Sequence, residues 1–317
     1  MKRLVYRDGH AALRNFLPPE VVSTLRSELM KIGEDESRKL EAYRQKIIVS
    51  VSESDKSKGF NLAMKCQNVK ECKQALQRLG VPSDDLPFLQ YFNCWRHVPI
   101  VEDFCKSPHM ASTAAQLLNA ESVKLYQDSL FHKRKNDGQT PWHSDARMAP
   151  FDTSNLITFW IPLQNVPADG SGLSFVSKSH ADFALAYWNE IDGEEYQRLD
   201  HRYSGVKHIF DHMPLQIGDV TVHSGWTLHC ASEGNKDTDR YAFAISYVDS
   251  KAEIREDVPG VGVKSKSKKL KRGQKDNSSL RDDEDIASYA DWIGEVTPRH
   301  FFKHRLVPIV WPEQRRK

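Results

Sequence analysis

The stretch Thr140-Pro141-Trp142-His143-Ser144-Asp145 places an imidazole and a carboxylate two residues apart. On a β-strand both side chains point to one face. Such a pair can fill two positions around a divalent metal, and a strong site needs a third donor. Thr227-Leu228-His229 offers a second imidazole, and Arg240 follows eleven residues later. Two histidines and one carboxylate on one face of an octahedral ion leave the other positions open, as in non-haem iron oxygenases. A 2-oxo acid can take two of those positions and dioxygen the third. Arginine grips a carboxylate through a planar two-point fork, so Arg240 is placed to hold the far end of that acid.

The elements that carry these residues follow from periodicity. Residues 240–248 alternate as a strand, with Arg240, Ala242, Ala244 and Ser246 on one face and Tyr241, Phe243, Ile245 and Tyr247 on the other. The large side is ordinary core. A charge followed by small residues reads as a cavity wall. Further strands are expected at 156–163, 173–176, 206–210 and 215–222. One more at 122–133 would have Val123, Leu125, Gln127, Ser129 and Phe131 on one side. Turns are expected at Asp169-Gly170-Ser171-Gly172, Asp192-Gly193 and Gly218-Asp219. Many short strands with Gly-rich turns argue for a sandwich or barrel rather than a βαβ sheet.

Before residue 120 the period is helical. Pro18-Pro19 opens a helix with Val22, Leu25, Leu29 and Ile32 on one face, and further helices are expected over 68–79 and 108–118. The charged stretch 31–58 reads as a solvated helix or looser chain. Residues 264–275 are basic and low in complexity, and we read them as a solvated surface loop. A nuclear address is the alternative. Residues 286–317 regain aromatics and are expected to pack back on the body.

Composition narrows the classes. The 317 residues carry a formal net charge of +2, which argues against a nucleic-acid binder. Five cysteines without a C-x-x-C pair favour a reduced chain over a disulfide framework. There is no run of about 18 apolar residues, no apolar signal core and no S-K-L tail, so the expected compartment is the cytoplasm.

The chain resembles the phytanoyl-CoA dioxygenase family of iron(II)- and 2-oxoglutarate-dependent oxygenases. The resemblance rests on Pro141-Trp142-His143-Ser144-Asp145, Thr158-Phe159-Trp160-Ile161-Pro162-Leu163, Gly172 through His180, and Gly218-Asp219-Val220 leading to His229 and Arg240. It implies an α+β fold with a mainly β core: a double-stranded β-helix (jelly roll, cupin-like) with the N-terminal helices around it. One domain spans 1–317, with helical support over 1–120, the jelly roll over 121–250, a basic loop over 251–285 and a packing segment over 286–317. The resemblance further implies that His143, Asp145 and His229 bind Fe(II) and Arg240 binds 2-oxoglutarate. Thr158 and Trp160 match the pocket-lining strand, and Gln127 matches a polar inward position. Many members carry a serine or threonine two residues after the distal histidine. Here that residue is Ala231, and Ser246 or another donor would have to replace the hydroxyl. Related halogenating enzymes have Ala or Gly at the carboxylate position, so Asp145 implies hydroxylation of a small-molecule or lipid-like substrate with dioxygen. A jelly-roll binding protein without turnover is the alternative.

Ordinary roles are weighed against these. His180-Ala181-Asp182 repeats the H-x-D spacing, but four strands fit between His143 and His229 and only about two after His180. His223 is read as structural, Cys230 as pointing away from the site, and Arg147 and His132 as exposed charges.

Overall fold

The computed structural model describes residues 2–51, 56–81, 88–135, 137–181, 209–234, 238–258, 261 and 286–312. The expected turn at Asp192-Gly193, the first three residues of the strand placed at 206–210, and the basic run 264–275 lie outside them.

The described chain runs α1 (Lys2–Asp8), β1 (His10–Leu13), α2 (Pro19–Glu34), α3 (Glu36–Val49), α4 (Lys56–Lys65), α5 (Val69–Arg78), β2 (Leu89–Phe92), α6 (Pro99–Cys105) and α7 (Pro108–Leu118). It continues with β3 (Val123–Lys133), β4 (Thr140–His143), α8 (Asp145–Met148), β5 (Phe151–Asp152), β6 (Leu156–Pro162), β7 (Leu173–Val176) and β8 (Ile209–Asp211). Then come β9 (Val220–Ser224), β10 (His229–Ala231), β11 (Arg240–Asp249), β12 (Glu253–Ile254), α9 (Ile286–Ile293) and β13 (Ile309–Trp311).

Two antiparallel sheets form the core. The larger has the order β1-β9-β6-β11-β3-β13, with β2 also on β3; the smaller has the order β4-β10-β7-β8. Their inner faces meet where Trp160, Ala242 and Ala244 pack with Leu173, Phe175 and Ala231. This is the jelly roll with helices around it. The outer face of the larger sheet, carrying Phe159, Phe243, Ile245 and Tyr247, is covered by Val22, Leu25 and Leu29 of α2 and by Met110 and Ala114 of α7. Among the described residues, no helix is long and apolar enough to cross a membrane.

Helix ends follow local chemistry. Pro19 starts α2 where a missing N–H costs nothing, and Val22, Leu25, Leu29 and Ile32 are its buried face. Asp35 then caps α3 by accepting from the backbone N–H of Ser37 and Arg38 at 2.8 and 3.1 Å. That helix is less solvated than its charge suggests, because Ala42, Tyr43, Ile47 and Ile48 are buried in the main core. Asn68 caps α5 through Glu71 N–H at 2.9 Å, and the Glu71 carboxylate accepts from Gln67 N–H at 2.7 Å.

Three expectations need correction. The region before residue 120 also contributes β1 and β2, four-residue strands too short for a periodic signal. The strand placed at 215–222 begins only at Val220, while Leu215 makes an isolated bridge to Val166. The third correction concerns β3. Ser246 pairs with Gln127 but Tyr247 pairs with Leu125, so Tyr126 is an extra residue in a β-bulge. An inserted residue inverts the alternation. Val123 and Leu125 therefore pack with Tyr247 in the helix-side core, while Gln127 stays level with Ser246 on the inner face. Residues 286–312 do pack back: Trp292 and Phe302 bury against Phe151 and Tyr126.

Candidate active site

The site sits between the two sheets. In the β10–β4 pairing His229 lies opposite His143, so the two imidazoles stand side by side with ring centroids 4.1 Å apart. Asp145 is not on the strand as the spacing suggested. The chain leaves β4 at His143, and Asp145 is the first residue of the single-turn helix α8. That turn is pinned from below, because Ala146 N–H donates to Gly225 O at 2.8 Å. Gly225 has to be glycine, since a Cβ there would stand 2.9 Å from Leu156 Cδ2 and 3.0 Å from Ala146 Cβ. The result brings ligand atoms of His143, Asp145 and His229 within 4.8 Å of one another.

Hydrogen bonds fix the direction of each donor. His143 Nδ1 donates to Pro141 O at 2.9 Å and His229 Nδ1 donates to Thr227 O at 3.0 Å. A carbonyl only accepts, so both rings carry a proton on Nδ1 and turn Nε2 towards Asp145. Those Nε2 atoms lie 3.9 and 3.6 Å from Asp145 Oδ1. The other carboxylate oxygen is occupied: Oδ2 accepts from Thr158 Oγ1 at 2.6 Å and from His223 Nε2 at 3.0 Å. Burial alone would raise the Asp145 carboxyl, but His229, the hydrogen bond from His223, and His143 together hold it well below the usual carboxylate range. Burial, reinforced by His143 and His223, keeps His229 well below its ordinary value. Two imidazole nitrogens and one carboxylate oxygen, turned inward, fit a divalent iron.

The remaining sequence-derived residues lie along the inner face of the larger sheet. Gln127, Ser246, Thr158 and His223 form one row across β3, β11, β6 and β9. Within it Thr158 Oγ1 meets Ser246 Oγ at 3.0 Å, and Gln127 Oε1 is buried without a hydrogen-bond partner. Ser246 is thus tied to the Asp145 end of β11. At the opposite end of that strand the Arg240 guanidinium lies 5.4 Å from the centre of the Trp160 ring, with its Nε buried and unpartnered. Burial brings Arg240 down to about 10. Ala242 and Ala244 line the strand between the two ends.

His180 is held elsewhere, with Nε2 3.1 Å from Tyr6 O. Cys230 faces away from its buried neighbours His229 and Ala231. His132 pairs with Asp239 at 2.8 Å and stacks on Tyr241 on the outer face. The sequence reading took His223 as structural without placing it on Asp145, and it did not name His10. His223 donates to Asp145, and β1 brings His10 opposite it onto the inner face, where burial and His212 push His10 down to about 4. Lys133 was also missed, although its odd-numbered position continues the inward run Gln127, Ser129, Phe131.

A jelly roll enclosing two histidines and a carboxylate defines the class of non-haem iron, 2-oxoglutarate-dependent oxygenases. Residues 5–241 match the family described as phytanoyl-CoA dioxygenase (PhyH), and the chain belongs to that family. No curated protein matches it at the sequence level. Among solved structures it is similar to SnoK, a non-heme alpha-ketoglutarate-dependent carbocyclase from nogalamycin biosynthesis, at 17% identity over 97% of this chain and 94% of that one, TM-score 0.62. The epimerase SnoN, in complex with Fe3+, alpha-ketoglutarate and nogalamycin RO, is 16% identical over 98% and 96% of the two chains, TM-score 0.59. EctD from S. alaskensis, with 2-oxoglutarate and 5-hydroxyectoine, is 15% identical over 80% and 77%, TM-score 0.55. At these identities the likeness is one of fold.

Proposed function

We propose that the chain is a single-domain, cytoplasmic Fe(II)- and 2-oxoglutarate-dependent hydroxylase of an unactivated C–H in a small-molecule or lipid-like substrate. The observation that carries this is the cluster of His143 Nε2, His229 Nε2 and Asp145 Oδ1, all turned to one point. His143, Asp145 and His229 would hold the iron. When bound, iron supplies dioxygen activation, coupled to decarboxylation of 2-oxoglutarate to succinate and CO2.

The chain's own residues orient the donors. Pro141 O and Thr227 O fix the imidazole tautomers, and Thr158 and His223 hold Asp145 so that one oxygen is presented. Arg240, over the Trp160 face, takes the distal carboxylate of 2-oxoglutarate, and Ala242 and Ala244 leave room for its carbon chain. Gln127 and Ser246 line the polar row at the other end. None of the five cysteines is in a disulfide bond, which supports a reduced compartment. The similar structures are of a carbocyclase, an epimerase and EctD, so the fold does not select the substrate.

Succinate release tests the reading, with iron, 2-oxoglutarate and a substrate panel, in wild type and in His143→Ala. Substrate-dependent succinate with a hydroxylated product, lost in His143→Ala, is expected. Ala231 favours a binding protein without turnover as the second reading. Tight 2-oxoglutarate binding with no succinate from any substrate would select it. Arg240→Lys keeps the charge but loses the fork, so it should weaken 2-oxoglutarate with iron affinity retained.

A further inference from the structure

The helix side of the larger sheet carries a second polar cavity, and none of the iron ligands lines it. It measures about 80 Å3 and lies between α3, the end of β2 with the turn 93–97, and α9. That turn is fixed from beneath. Asn93 N–H donates to Asp128 O at 2.8 Å, and the Asp128 carboxylate accepts from Cys94 N–H at 2.8 Å and Trp95 N–H at 2.9 Å. Asn93 takes the left-handed backbone conformation, φ 56°, which asparagine tolerates. Both Asn93 and Arg96 thereby reach the cavity wall.

Two side chains in that wall keep buried polar atoms without partners. The Arg96 side chain is 8% exposed, and its Nη1 pairs with Asp291 Oδ2 at 2.9 Å. Its Nε and Nη2 are buried with no hydrogen-bond partner among the described residues. These two atoms share one edge of the guanidinium plane, and their parallel N–H bonds match two oxygens of a carboxylate or phosphate. Asn93 Nδ2 donates to Ser288 O at 3.1 Å, which orients the amide and leaves its buried Oδ1 without a donor. The acids nearby have partners of their own: Glu41 pairs with Arg38 at 3.0 Å, Asp291 with Nη1, and Asp128 with the N–H groups of the turn. Positive charge acts on the rim, where burial, then Arg38 and Arg96, lower His97 below its ordinary value. Buried donors and acceptors left unpaired cost stability. The cavity exceeds the roughly 10–15 Å3 that one water needs, so a group of several heavy atoms fits.

We propose that Arg96 and Asn93 form a second ligand site, for a small oxyanion that carries its own hydroxyl: a 2-hydroxy carboxylate or hydrogen phosphate. Two oxygens take the Nε–Nη2 edge of Arg96, and the hydroxyl donates to Asn93 Oδ1. A hydroxyl suits that place better than an ammonium, because Arg38 and Arg96 already bring positive charge to the cavity. Ala42 of α3 adds a methyl group to the wall. The site is independent of the proposed function, since it uses none of the residues assigned to iron or 2-oxoglutarate.

The experiment is anaerobic calorimetric titration of the full chain, loaded with Fe(II) and saturated with 2-oxoglutarate, with glycolate, acetate and inorganic phosphate in turn. Glycolate, phosphate or both should bind once per chain, and which of them binds identifies the source of the oxyanion. Acetate has no hydroxyl and should bind about tenfold more weakly than the better probe, the loss of one hydrogen bond. Arg96→Lys keeps the charge but loses the fork, and should weaken that probe by about tenfold or more. Ala42→Val fills the cavity without removing a polar group, and decides the matter where Arg96→Lys does not fold. Arg240→Met should retain the binding. Failure of both glycolate and phosphate to bind overturns the site, as does acetate binding equally well. Probe affinity within twofold of wild type in folded Arg96→Lys, or failing that in Ala42→Val, also overturns it. Loss of the probe in Arg240→Met would put the anion at the co-substrate end of β11 and refute the second site.

Discussion

Thr158→Val removes one oxygen and keeps the shape of a buried side chain, so it isolates what holds Asp145. The Thr158 hydroxyl donates to Asp145 Oδ2 at 2.6 Å and contacts Ser246 Oγ at 3.0 Å. A hydrogen bond to a charged group contributes about 1.5–3 kcal/mol. In the metal-free protein the released carboxylate can turn toward His143 and His229, 3.9 and 3.6 Å from Oδ1, and recover part of this. With metal bound it cannot turn without losing its own ligand bond, so the loss falls on the loaded state. About 2 kcal/mol is roughly thirtyfold in affinity, within the ~10–100-fold range typical of groups that orient metal ligands. Anaerobic calorimetric titration with Fe(II) reads it directly. His223→Phe should produce a similar loss, and the double variant less than the sum, because both donors act on one oxygen. Thr158→Val that stays folded and binds iron within twofold of wild type would refute the reasoning.

Three further outcomes are expected. Gly225→Ala should cost about 1–3 kcal/mol in denaturant unfolding and weaken iron binding, because the added methyl pushes on Ala146 and thus on Asp145; full retention of both would remove that support role. His180→Ala should keep iron and lose only some stability, whereas His143→Ala should lose iron; if His180→Ala alone abolishes metal binding, the ligand assignment is wrong. Lys133 gives a pH signature. Its folded value is about 7, against roughly 10.4 unfolded. Its contribution is therefore present above the unfolded value and lost as pH falls through about 7. Around it Arg240 disfavours the charge, and Asp137, Cys230 and Glu233 favour it. Wild type measured against Lys133→Met should become relatively more stable from pH 7 to 10, by on the order of 3 kcal/mol. A flat difference across that range would show that Lys133 is not desolvated.

The residue types at His143, Asp145, His229 and Arg240, and the period-2 alternation of β11, follow from the sequence, because ligand spacing and strand parity are local properties. Parity also put Ala242, Ala244 and Ser246 on one face. Local pattern stops at the bulge: one extra residue at Tyr126 moves Val123 and Leu125 to the helix-side core, and nothing in residues 122–133 announces it. The turn at Ser144 is equally silent in the H-x-D spacing, yet it decides that Asp145 meets the imidazoles from a helix rather than from their own strand. Which side chains become neighbours across strands is set by register and by the packing of two sheets, contacts between residues far apart in the chain. So His223 and Thr158 on Asp145, and Lys133 against Arg240, exist only in the tertiary structure. The sequence supplied the donors; sheet register decided their orientation and which charges were left to face each other.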